Sequence, residues 1–210
     1  MNALERTIPS HKKGIKKNYT SSRKFKEVSD AQLCYDNAIA RLLNINHWDT
    51  ISPLAKGMTQ IMSGQMKMQR RKARLGDYVR IGLPIENPDG GSYDWVQVDV
   101  LKFSSGKRKE QCLMVLRPCP MPGGDITAHF FTEDASSNFL LTRDRNTVTA
   151  DYYGHNETPN MDVSGLKEKI RNGIVAMGAM LGLSDTLWKP LTEGLLMDGI
   201  LLRERKKEQV

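Results

Sequence analysis

The chain has 210 residues, 39% of them hydrophobic and 26% charged, which is close to an ordinary globular composition and suits one domain with or without tails. Three cysteines (Cys34, Cys112, Cys119) are too few for a disulfide framework and lack C-x-x-C spacing, and the longest nearly apolar stretch, 173–183, falls short of the about 20 residues a bilayer needs. The net charge of +7 belongs to residues 1–26, where eight basic side chains face Glu5 alone, so the remainder is neutral. With no apolar leader at its start, the chain reads as cytoplasmic.

Residues 1–27 are polar, basic and aperiodic, and are expected to form a flexible tail, because too little apolar surface is present to offset the entropy of ordering. A single α+β domain is expected over 28–202, followed by a short charged tail over 203–210. Within the domain, Ala31, Tyr35, Ala38, Ile39 and Leu42 recur at helical spacing. Ser29 and Gln32 form a capping box ahead of them, which predicts a helix over 30–43. Trp48 is expected to lid the core edge beside it. Residues 51–62 are a weak strand candidate. The basic run 66–74 reads as an edge strand guarded by its charges, with a phosphate-contacting patch as the alternative.

The organising pattern is a hairpin. Residues 76–84 and 92–103 both alternate with period two, and the turn between them, 86–91, contains Pro88, Gly90 and Gly91. Val96, Val98 and Val100 fall on one face; Tyr93, Trp95, Gln97, Asp99 and Leu101 fall on the other. Another strand follows at 111–117 and is ended by Pro118. Three short strands are predicted at 126–132, 137–143 and 147–153. Their short connections favour an antiparallel meander. Towards the end, Val163, Leu166, Ile170, Ile174, Met177 and Leu181 mark one helical face. A second helix is predicted around Leu187, Trp188, Leu191, Leu195 and Leu196, with Pro190 kinking it or delaying its start.

No catalytic constellation stands out. There is no glycine-rich phosphate loop and no G-x-S-x-G or H-E-x-x-H. His155-Asn156-Glu157 matches the H-x-E of zinc deaminases, but Pro118-Cys119 lacks its second cysteine and precedes rather than follows it. His155 with Asp151 or Glu157 is the best acid–base candidate, with a loop cap as the plainer reading. His129, between Ala128 and Phe130, reads as a hydrogen-bonded structural histidine. No metal or cofactor is expected.

The segments 76–81, 93–98 (Tyr-Asp-Trp-Val-Gln-Val), 128–131 (Ala-His-Phe-Phe), 154–160 (Gly-His-Asn-Glu-Thr-Pro-Asn) and 178–184 together resemble a family of bacterial proteins over most of residues 30–200. No activity is attached to that family, so the resemblance carries no functional residue.

The expected architecture is therefore α+β: a curved antiparallel sheet of about six strands, an N-terminal helix and two C-terminal helices packed on one face. In a helix-grip version, helix 163–183 would lie in the curved sheet. The function this favours is a non-enzymatic binding or interaction domain. Its small apolar ligand or protein partner would meet Trp95, Phe130, Phe139, Met177 and Leu181. The alternative is a nucleic-acid-associated protein using Lys12, Lys13, Lys16 and Lys17 of the tail with Arg70, Arg71 and Lys72.

Overall fold

The computed structural model describes residues 4–52, 59–82, 93–125, 127, 129–160 and 187–198. The predicted helix over 163–183, the turn 86–91 and the tail 203–210 lie outside the described residues.

Seven strands form one curved antiparallel sheet: β1 (Ile15–Lys24), β2 (Thr59–Met62), β3 (Tyr78–Gly82), β4 (Tyr93–Ser104), β5 (Lys109–Pro118), β6 (Ser136–Asp144) and β7 (Thr147–Glu157). Their order is β1-β7-β6-β5-β4-β3-β2. The central hairpin is present as β3–β4, with Val79 opposite Val96 and Arg80 opposite Trp95. Helix α1 (Val28–Leu43) buries Ala31, Tyr35, Ala38 and Leu42, the stripe its spacing predicts. A 3-10 stretch, Ile45–Thr50, follows, and residues 187–195 are helical straight across Pro190.

One face of the sheet, here the core face, carries Val79, Ile81, Val96, Val98, Cys112, Met114, Leu116, Phe139, Leu141, Val148, Ala150 and Tyr152. These pack with α1, Ile45, Trp48, Trp188, Leu191 and Leu195 into one cluster. The outer face has two smaller clusters. Leu113, Val115 and Leu140 are covered by Leu4 and Ile8, while Met62, Trp95 and Cys119 form the other.

Several expectations are corrected. The supposed flexible tail supplies an edge strand: β1 pairs with β7 from Ile15↔Glu157 to Lys24↔Thr147, and Leu4 is buried. The seventh strand comes from this segment. Its residues alternate strictly between half-buried and exposed, from Ile15 half-buried to Lys24 exposed. That period was hidden because Lys and Arg cover apolar surface with their stems while their charges stay in water. At the exit of β1, Phe25 N–H donates to Asn146 O and Asn146 Nδ2 to Phe25 O. This tie to the β6–β7 turn starts α1 at Val28, without the Ser29 side-chain cap.

Further along, a bulge between Val98 and Val100 shifts the β4–β5 register, so Val100 meets Val115 on the outer face and Leu101 meets Met114 in the core. Trp48 sits inside the core with its Nε1–H donating to Arg41 O and Leu42 O at the end of α1, where Arg41 O also accepts the Asn44 N–H. The basic run 66–74 forms no strand; Met68 makes one isolated bridge to Met62. Nor do the described residues of 126–132 form one, since Thr127 and Phe131 make only isolated bridges to Pro120 and Pro159. Side chains, chiefly Asp94 and Asn160, meet part of the hydrogen-bonding demand of this segment where a neighbouring strand would otherwise do so.

Candidate functional site

Small residues meet on the core face where β1, β7 and β6 run side by side. Register places Lys17 opposite Gly154 and Gly154 opposite Ser137. Next to them, the Tyr152 hydroxyl lies 3.1 Å from Ser137 Oγ and donates to Glu157 Oε1 at 3.4 Å. Glu157 is only 2% exposed and folds over Gly154, occupying the space a side chain would take there. A carboxyl, a phenol and an alcohol are thus set together on the core face, with Lys17 of β1 opposite Gly154. On its other side this polar cluster is bounded by aromatic rings. Tyr19 stacks on Tyr152 at 5.7 Å, and Phe139, Tyr152 and Trp188 lie within 5.6 Å of one another.

The residues nominated from sequence as ligand contacts do not form one set. Phe139 lies in this aromatic cluster, but Trp95 belongs to the outer face with Met62 and Cys119. Phe130 stacks on His129 with ring centroids 4.5 Å apart. Met177 and Leu181 lie outside the described residues. Tyr152, Ser137 and Lys17 were missed, because each reads as an ordinary strand residue until the register is known.

His155 and Glu157 do not converge either. Glu157 shares the core face with Tyr152, while His155 packs on the outer side against His11, with ring centroids 5.8 Å apart. His155 Nδ1 bonds to Pro9 O at 2.7 Å, and Nε2 is buried without a hydrogen bond. Burial holds the His155 imidazole below its ordinary pKa, and the charges of Lys16 and His11 push the same way. Asp151 is engaged by the hydroxyls of Thr20 and Thr149. His155 is not a loop cap but lies inside β7, where its bond to Pro9 helps hold residues 4–14, the strap, against the sheet. Asn156, at φ +56°, fastens the same strap: its Oδ1 accepts from Lys12 N–H and Lys13 N–H, and its Nδ2 donates to Ser10 O.

A second buried polar group stands at the far end of the sheet. His129 Nδ1 accepts the Phe131 N–H at 2.9 Å, so its proton sits on Nε2, 3.5 Å from Asp94 Oδ2. Asp94 Oδ1 accepts the Phe130 N–H. Burial pushes the Asp94 carboxyl well above its ordinary value and holds His129 down to about 3, so burial disfavours the charged form of each. Through the Phe131 N–H to His129 Nδ1 and the Phe130 N–H to Asp94 Oδ1, the two side chains organise the loop, as expected for a structural histidine. Asp94 could have been found in the sequence as an acid in phase with Val96 and Val98.

The two basic groups do not make one surface. Lys16 and Lys17 belong to β1 and Lys12 and Lys13 lead into it, while Arg70, Arg71 and Lys72 follow β2, the opposite edge in strand order. Arg71 is spent on Asp77, with bonds of 2.6 and 2.7 Å. Among the described residues, no group of His, Cys, Asp or Glu has the geometry to hold a metal ion.

No family model matches the chain, and no curated protein matches it. Solved structures do. Similar ones are the major latex-like protein 151 of Panax ginseng, 12% identical over 88% of this chain and 100% of that one (TM-score 0.38), and a hypothetical protein of Helicobacter pylori, 10% identical over 84% and 86% (TM-score 0.41). A Thalictrum norcoclaurine synthase variant is 12% identical over 91% of this chain and 97% of its own (TM-score 0.35). None of these likenesses carries a role to this chain.

Proposed function

We propose that the chain is a non-enzymatic binding domain for a small, mainly apolar molecule held against the core face. The polar end of the ligand would meet Tyr152, Ser137 and Glu157. The observation that supports this is the Tyr152–Ser137–Glu157 cluster, a few convergent polar groups beside aromatic rings, the kind of polar groups that orient a ligand in a small-molecule site. A binding role suits the site better than catalysis, because Glu157 lies on the opposite face of β7 from His155, and Asp151, on the same face as His155, is engaged by Thr20 and Thr149.

Native mass spectrometry of the protein purified from its own source tests the reading, together with titration of a neutral naphthylamine dye. The expected result is a bound small molecule, or one saturable dye site that Ser137→Leu abolishes while the circular dichroism spectrum is kept. A bare chain mass with no saturable dye site overturns it. Nucleic-acid association draws less support, with its two basic groups on opposite edges and Arg71 already paired.

A further inference from the structure

The strap leaves a cleft of about 430 Å³ on the molecule, lined by Pro9, Ser10, Lys12, Lys13, Arg117, Asp134 and Asn156. Three features fit it to one ligand class. The first is charge. Lys12, Lys13 and Arg117 face a single lining carboxylate, Asp134, whose pKa is held down first by its 2.7 Å bond to Lys13 and also by the charges of Arg117 and Lys12. The second is the supply of donors. Arg117 reaches Asp99 through Nε alone, at 2.9 Å, and neither its terminal nitrogens nor Lys12 Nζ bonds to a described residue. The third is the absence of repulsion from the strap, because the Pro9 and Ser10 carbonyls are already taken by His155 and Asn156.

We infer that this cleft binds a small multivalent anion of the phosphate type. Arg117 would grip two oxygens side by side, Lys12 would add charge, and Lys13 would exchange Asp134 for the ligand. The volume is that of a small-molecule site, in the range of roughly 300–1,000 Å³, which favours a free anion over a polymer. The proposal is independent of the core-face cluster: it uses the outer side of the sheet and a ligand of opposite character.

Calorimetric titration of the full chain with pyrophosphate at low ionic strength tests it. One site per chain is expected. Arg117→Gln should weaken binding by roughly tenfold, the loss of a charged hydrogen-bonding partner. Asp134→Asn should tighten it several-fold by removing the competing carboxylate, a gain that misfolding could not produce. No saturable binding overturns the proposal, as does binding that neither substitution changes. Binding of a single-stranded oligonucleotide in the absence of pyrophosphate binding overturns it in favour of a nucleic-acid surface.

Discussion

A Cβ at Gly154 would overlap Glu157 Oε1 and lie 3.0 Å from the Tyr152 hydroxyl, so the absence of a side chain there is what lets the carboxyl join the polar cluster. Gly154→Ala should cost about 1–3 kcal/mol of stability by overpacking. Urea denaturation checks this, and the cost should shrink in a Glu157→Ala background because the two positions share one space. Asp94 gives a prediction in pH. A carboxyl whose pKa is raised on folding keeps its proton longer in the folded chain than in the unfolded one. Stability is then greatest below the unfolded value of about 3.9 and falls as pH rises from there. His129, held down by burial, works the other way: its contribution is present above about pH 6.5 and lost on acidification. Asp94→Asn keeps an acceptor for the Phe130 N–H and removes one slope only. Its stability relative to wild type should therefore grow between about pH 4 and about pH 8. Denaturation midpoints at the two pH values that move in parallel would contradict an Asp94 carboxyl raised by burial.

At the scale of elements, the strap and β1 behave as one device with two parts. Residues 4–14 are held by the Asn156 amide, the His155–Pro9 bond and burial of Leu4 beside Leu113 and Leu140. His155 is depressed in the folded state, so its contribution is complete above about pH 6.5 and is lost as pH falls below it. Hydrogen exchange in residues 4–14, corrected for its intrinsic pH dependence, should rise on acidification while β1 stays protected. Equal protection at acid pH would detach His155 from the strap. Removing residues 1–26 should do much more, exposing the β7 edge and the Leu113–Leu140 patch, with aggregation as the readout. The helix periodicity of α1 and the alternation of β3, β4 and β7 were legible in sequence, because each repeats an apolar residue at a fixed interval. β1 was not, because its inward positions include Lys17, Ser21 and Arg23, and half-burial of long polar stems leaves no hydrophobic signature.

At the scale of the molecule, the aromatic cluster joins sheet and helices. Trp188 lies 6.0 Å from Trp48 and is stacked on Tyr152 at 5.6 Å. Two arginines fix the segment that follows it: Arg41 donates to Leu195 O and Met197 O, and Arg23 to Leu196 O and Asp198. Trp188→Ala should cost about 3–5 kcal/mol, read as a drop in Tm. A loss below about 1 kcal/mol would mean the helix is not anchored there. The α+β class and the antiparallel meander from β4 to β7 followed from helical periodicity and short connections, whereas β1 at the edge did not. Nor did the polar cluster, because Lys17, Ser137 and Gly154 are far apart in the chain and only the register brings them together.

Strand order also sets a timetable. β1 neighbours β7, the last strand in sequence among the described residues, so Ile15 waits for Glu157 to leave the ribosome before it finds its partner. At about 5–20 residues per second that delay is on the order of ten seconds, during which an unpaired edge is open to any other extended chain. Lys16, Lys17, Arg23 and Lys24 would repel a second copy of the same ribbon throughout that interval. The positive surplus at the start of the chain thus has a use during synthesis, before any ligand arrives.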